Sequence, residues 1–597
     1  MLSHGPEYII FGVDQTDFEM NFRNLIAILS CLTSSITCFP VPVPAQDDSF
    51  LGAAAFLSGA SSLEELDESE AERYSHLRSN PLDINHASRS KLLSSGLLSL
   101  FQIASIEDYR SRSGDILSYS ELATLPGFGE DIANALKPFI TLESGSILGI
   151  TPRDSFIVNQ DAVVRLSVRS KNVNYGAKYK INVKESLEAS AAVTSSRKSF
   201  NAVYYGRKRL GKVIAGDFNA RFGQGLALWS GLSLTGFSNS ASFCKKANGL
   251  SPSWSYSGIG SHRGVAAEFR LGSLILSDFV SFPQANSPMP GTNLTWFGRN
   301  GQVGITGYYQ YRGGGRISAD FRFNRKGLDF FAEYACDFKL ELSAWVAGAS
   351  CPIVNDYRLN AIVRTHPMGF QTAYSGGSRA WAGSSGERGV AVGLERFSAC
   401  LTMDLAVKDG KDRQEQCKIL FKFPFQLSEK SVLTVRFTER FRPTEVYLKY
   451  RTGGRMDLDW SSSGLSARYG STDGSAWKVR ARTEFLLCRS LGSLAYLEGG
   501  RVTERFSAYM RGTVFFVDNW DDRIYSYERD APGNFNVPAY YGRGWSFSAI
   551  AGLKLAAGKK KYKALKLYFR ASTVGYQFMR DPKPGRTEVK LQLMMSF

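Results

Sequence analysis

From about Asp161 to the terminal Phe597 the chain is written in segments of nine to twelve residues whose side chains alternate between apolar and polar. Val303, Ile305, Tyr309 and Tyr311 stand against Gln302, Thr306, Gln310 and Arg312. Beyond Gly313-Gly314-Gly315, Ile317, Ala319, Phe321 and Phe323 stand against Ser318, Asp320, Arg322 and Asn324, and Leu433, Val435 and Phe437 against Thr434, Arg436 and Thr438. A period of two places one set of side chains on each face of a strand. No helical pattern interrupts this body, which is longer than an ordinary sandwich. Its connections are of two kinds, short ones such as Asn324-Arg325-Lys326-Gly327 and long ones near 236–262, 365–388 and 518–544. That asymmetry is the mark of a transmembrane barrel, with tight turns at one end and long loops at the other. No later apolar run approaches the roughly 18 residues a membrane helix needs, so a chain of this kind crosses lipid only as a closed barrel. The expected fold is mainly β: a large antiparallel transmembrane barrel of roughly 20–26 strands over 150–597.

Charge divides the chain further. The overall +17 invites a nucleic-acid reading, but residues 47–145 carry sixteen acidic and seven basic side chains, a net of −9. Residues 1–46 add −3, which leaves +29 on 146–597. An acidic front joined to a basic body is two modules with different surroundings. Inward positions of the barrel would include Arg165, Arg169, Lys178, Lys180, Arg322 and Arg436. Such an interior favours anionic solutes if it lines a pore, or is solvated rim in contact with lipopolysaccharide; both readings stay open.

The first 46 residues read as an over-called start followed by an export leader. From Met20, Asn21-Phe22-Arg23-Asn24 is a short basic n-region, Leu25–Phe39 an apolar core, and Val43-Pro44-Ala45-Gln46 a cleavage region. Cys31 and Cys38 fall in this leader. Cys244, Cys336, Cys351, Cys400, Cys417 and Cys488 show neither CxxC spacing nor a histidine pair, so no metal is expected, and the sequence pairs no disulfide.

Residues 47–79 form a charged helical lead-in, and 80–145 hold four short helices. Asn85 is expected to cap the first, Ser99 the second, which Gly114 stops. Ser118-Tyr119-Ser120-Glu121 reads as a capping box for the third, and Glu130–Lys137 is the last. In "DINHASRSKL", "IEDYRSRSG" and "SELATLPGFGEDIANALKPFI" this module resembles the tandem helix-hairpin-helix domains of competence-type DNA receptors. The resemblance implies a DNA phosphate on the backbone N–H groups of Gly127-Phe128-Gly129. The first hairpin departs from the pattern, with Leu97-Leu98-Ser99 at its turn, where no glycine offers φ > 0. Glu130 and Asp131 repel an anion at the second, and a net of −9 removes the counterion-release contribution to DNA affinity. Protein docking or structural support is therefore favoured, with a DNA-uptake component as the alternative.

The C-terminal stripe Val589, Leu591, Leu593, Met595 and Phe597 opposes Glu588, Lys590, Gln592 and Ser596. It resembles the terminal strand that the barrel assembly machinery of the outer membrane recognises. "ARFGQGLALWSG" after Gly216-Asp217-Phe218, and the stretch Asp521–Asp530 with "PGNFNVPAYYGRGW", resemble uncharacterised outer-membrane proteins that join a helix-hairpin-helix front to a barrel. Asp521, Asp522, Arg523, Glu528, Arg529 and Asp530 read as an ion-pair network holding a loop, or as a cation or sugar site. With only His262 and His366 in the body and no motif beside them, no catalytic residue and no cofactor is expected. The reading is a non-enzymatic outer-membrane barrel serving passage or assembly. Its acidic domain would be periplasmic and dock a protein partner, with membrane lipid and lipopolysaccharide around the barrel.

Overall fold

The computed structural model describes residues 49–144 and 158–597, apart from position 67 and a set of connections, the longest being 442–453, 464–475 and 577–583. The leader reading over 1–46 lies outside the described residues. Alternation decides the body. Among the described residues, twenty-four antiparallel strands form one closed sheet, and the first, Val158–Arg169, pairs with the last, Arg586–Ser596. The short strand Gly249–Pro252 lies inside this wall, paired only to the end of Leu210–Arg221. Closure leaves no unpaired edge. The two faces are as the alternation requires. Ile305, Tyr309, Ile317 and Phe321 point outward and are 38–52 % exposed, while Thr306, Ser318 and Asp320 point inward and are buried. Chain reversal places the strand ends Val183 and Leu187, Leu271 and Leu274, Arg325 and Leu328, Arg396 and Ala399, and Val502 and Phe506 at one end, with Val158 and Ser596. The strand ends Arg221 and His262, His366 and Glu387, and Val517 and Gly542, which the long connections join, lie at the other.

The acidic front folds as helices α1 (Ser49–Ser58), α2 (Glu68–Ser79), α3 (Arg89–Ser95), α4 (Leu100–Ser113), α5 (Tyr119–Thr124) and α6 (Glu130–Leu136). Leu82–Asp83 pairs in parallel with Ile140–Thr141 and ties its middle to its end. Ser99 caps α4 in a full capping box with Gln102. Ser118 caps α5 by accepting from the Glu121 N–H at 3.1 Å, and the Glu121 carboxylate reaches back to accept the N–H of Leu117 at 2.6 Å. The expected cap at Asn85 is corrected: Ser88 caps α3. Asn85 is buried, accepting from the Ile116 N–H at 2.9 Å and donating to the carbonyls of Ile116 and Glu143 at 2.9 and 3.0 Å. An amide that accepts and donates at once is better used joining distant segments than closing a helix end. Gly96, at φ 60°, ends α3 in the left-handed region just before Leu97-Leu98-Ser99.

Candidate functional site: the occupied lumen

The core of the front does not end at the front. Tyr74, Ile84, Leu92, Phe101, Ile106 and Phe139 pack in one cluster with Ile275 and Phe297, which project inward from the barrel wall. Ionic contacts extend the seating around the circumference. Lys178 pairs with Glu72, Arg221 with Glu70 at 3.4 Å, Arg482 with Glu64 at 2.7 Å, and His76 faces Asp161 at 3.9 Å. Arg436 donates to the Ser61 hydroxyl at 3.0 Å, and the Arg322 guanidinium lies 5.2 Å from the Phe101 ring centre. Strands bearing these residues lie all round the barrel, so helices that touch all of them occupy its lumen. The module expected to dock a partner is thus itself seated against the inner face of the wall. The physical reason is complementarity: an acidic, apolar-faced module fits a basic interior better than it fits water.

The long connections fold inward to meet it. Glycines at 223 and 225 (φ 54° and 80°) turn the "ARFGQGLALWSG" segment sharply, and Glu333 on the wall accepts the backbone N–H groups of Gln224 and Leu226 at 2.6 and 3.1 Å. Asp217 accepts two bonds from Arg263 at 2.8 and 3.0 Å. Farther along the segment, Lys246 donates to the Leu97 carbonyl at 2.9 Å, and the Leu100 N–H to the Ala247 carbonyl at 3.1 Å. Asn239 reaches the carbonyl of Phe56 at 3.4 Å. The loop 518–541 is pinned to the wall: Glu528 pairs with Arg570, Arg529 with Glu498 at 2.6 Å, and Asp530 with Lys590 at 2.7 Å. Asp522 accepts from Ser490 Oγ at 2.6 Å, and Arg523 Nε donates to the Tyr525 hydroxyl at 2.8 Å. The side chain of Asp521 lies outside the described residues. This loop also touches the front, where the Tyr527 N–H donates to Glu64 at 3.2 Å.

Gly127-Phe128-Gly129 is a tight turn with φ of 84° and 82° at its glycines. A Cβ on Gly127 would stand 2.8 Å from the Phe101 ring, and one on Gly129 would stand 3.3 Å from Arg358 of the wall. Gly127 is thus demanded by packing as well as by φ, and Gly129 by φ, since the Arg358 guanidinium can shift. The turn lines a cavity of about 470 Å³ between module and wall, shared with Arg322 and Arg358. Of the remaining predicted positions, Val589 and Leu591 project outward (37 and 44 % exposed), and the Phe597 N–H donates to the Gln160 carbonyl at 2.9 Å. His262 stacks among Phe218, Phe279 and Tyr374, and His366 bonds the Ser378 carbonyl at 2.8 Å. Cys244, Cys336, Cys351, Cys400 and Cys417 are free thiols.

Glu64, Glu70, Glu72, Lys245 and Lys246 were not singled out from the sequence. The acidic run "LEELDESEAE" opposite a basic body was the available signal. Burial pushes the Glu70 carboxyl up, but Arg73, Arg221 and Lys246 outweigh it and hold the group below its ordinary value. Lys245 is pushed down to about 7 by burial and by Arg379 and Arg221, with Glu333 opposing. Lys246 is also pushed down to about 7, by burial, Arg73 and Arg221 against Glu70.

No protein-family model matches the chain, and no curated protein does. Solved structures do. Pseudomonas aeruginosa OccK2 (OpdF) is 9 % identical over 74 % of this chain and 97 % of its own, with a TM-score of 0.30. OccK11 (OpdR) of the same organism is 10 % identical over 74 and 97 %, with a TM-score of 0.27. Its OprD is 8 % identical over 74 and 96 %, with a TM-score of 0.28. At these scores the likeness assigns neither a membrane nor a cargo to this chain.

Proposed function

We propose that the chain is an outer-membrane conduit, closed at rest by its own N-terminal module, and not an enzyme. The observation that carries this is the pairing of Glu64, Glu70 and Glu72 with Arg482, Arg221 and Lys178 inside a barrel whose outer face is apolar. Outward Val, Leu, Ile, Phe and Tyr on strand after strand make a surface far beyond the few hundred Å² a soluble monomer leaves bare. Lipid accounts for it. On this reading the short-turn end, where the barrel sequence begins and ends, faces the periplasm, and the long loops face outward. The assembly machinery then reads Val589 to Phe597, and lipopolysaccharide meets the outer rim. A periplasmic protein that draws the module out would open the path. DNA binding at Gly127-Phe128-Gly129 is the weaker reading, because Arg358 and the wall cover that turn.

The test uses the full chain in planar bilayers. The wild type is expected to conduct little. E64Q/E70Q/E72Q, which keeps shape but removes the charges, is expected to raise open-channel events at least tenfold. Equal, low conductance of the two folded proteins, or a wild type that stays soluble without detergent, overturns the reading.

A further inference from the structure

Where the module meets the inward-folded loops, positive charge is in excess. Arg221, Lys245 and Lys246 line a cavity of about 80 Å³ together with Trp229, Glu65 and Glu70. Arg73 and Arg379 bear on the same lysines. The carboxylates near these cations include Glu65, Glu70 and Glu333, with Glu387 beside Arg379. Glu333 already receives backbone N–H groups of Gln224 and Leu226, and Glu65 receives the Ser61 N–H at 2.7 Å. Glu70 is left as the principal counter-charge, facing Arg73, Arg221 and Lys246 at once.

The cations are held by groups other than Glu70. Arg221 Nε donates to the Ser230 carbonyl at 2.7 Å, and its guanidinium lies 5.5 Å from the Trp229 ring centre. Lys245 donates to the Gly376 carbonyl and lies 4.8 Å from the same ring. Lys246 donates to the Leu97 carbonyl. Donors anchored in this way keep their positions when a carboxylate leaves, and preorganised donors bind an incoming anion with less ordering cost. The space is ample: a cavity needs only roughly 10–15 Å³ on this measure to admit one water, so 80 Å³ admits an oxyanion of phosphate size. An added negative charge would also relieve the like-charge crowding that adds to burial in pushing both lysines down.

We propose that Arg221, Lys245 and Lys246 form a binding site for a small oxyanion, which takes the place of the Glu70 carboxylate. The site deepens the conduit reading, since it makes an anionic solute the natural competitor for the module's own acid. Binding itself is measurable without any conductance, so the two claims fail separately.

The experiment is calorimetric titration of the detergent-solubilised full chain with inorganic phosphate at constant ionic strength and pH 7. Wild type is expected to bind saturably. E70Q, freed of the competing carboxylate, should bind at least tenfold more tightly, and K245Q/K246Q at least tenfold more weakly. The double lysine variant removes crowded cations from a buried place, so it remains informative if E70Q does not fold. Undiminished binding by K245Q/K246Q, or no phosphate binding by wild type and E70Q alike, overturns the proposal. Tight phosphate binding together with a channel that stays shut in E64Q/E70Q/E72Q supports this site and overturns the conduit.

Discussion

Lys245 and Lys246 show how a residue's surroundings become a property of the whole. Lys245 sits between Trp229, the Gly376 carbonyl, Arg379, Arg221 and Glu333; Lys246 sits between Tyr74, the Leu97 carbonyl, Arg73, Glu70 and Arg221. Each has a folded value near 7 against an ordinary 10.5. Between those two values the unfolded chain binds more protons than the folded one, so stability rises with pH. Below 7 both states are protonated and these lysines add no further slope. The melting temperature is therefore expected to climb from pH 7 to pH 9 in wild type, and to climb less in K245Q/K246Q; equal slopes would contradict the assignment. Asn85 is a second case. Replacing it with alanine strands the Ile116 N–H in the module core, at a cost of about 1–3 kcal/mol, read as a lowered denaturation midpoint. Neither residue announces itself in the sequence. Adjacent lysines read as a solvated loop, and an asparagine before a helical run reads as a cap, because burial and distant partners are not local properties.

At the scale of elements the strands were legible and the irregular segments were not. Alternation at 302–311 and 317–324 placed each side chain on the face it occupies, and the Ser99 cap and Gly114 stop fell where expected. Long connections were anticipated near 236–262, 365–388 and 518–544, but not that they turn inward, nor that the first leaves its strand already at Arg221. Their inward course depends on Glu333, Arg570 and Lys590, which stand far away in sequence. For the strands the consequence is a prediction on the terminal one. Leu591 lies midway along Arg586–Ser596 and projects outward. An arginine there, at the depth of the acyl chains, is expected to destabilise the barrel by about 2–4 kcal/mol. Denaturant titration in lipid vesicles measures it, and a change below the precision of that titration would argue against a lipid-facing strand.

For the whole molecule the decisive event is the meeting of two modules of opposite charge. The division into −9 and +29 was plain from composition, and it weighed against DNA affinity of the front, with DNA uptake kept as the alternative. It did not say that the basic partner was the chain's own lumen. Buried pairs such as Arg482 with Glu64 resist screening better than surface pairs. Neutralising Glu64, Glu70 and Glu72 together is therefore expected to open the conduit where added salt does little, a contrast that conductance recorded at low and high KCl reads directly.

What the amino-acid order alone determined is the barrel: its period, its two faces, its unlike ends and its closing strand. Each follows from interactions between near neighbours, since a strand must turn alternate side chains to opposite sides. Only the tertiary structure decided that the acidic helices fill the barrel and that Glu70 meets Arg221 and Lys246. Those contacts join residues more than a hundred positions apart, and their free energy comes from burial and charge pairing that exist only once the wall has closed.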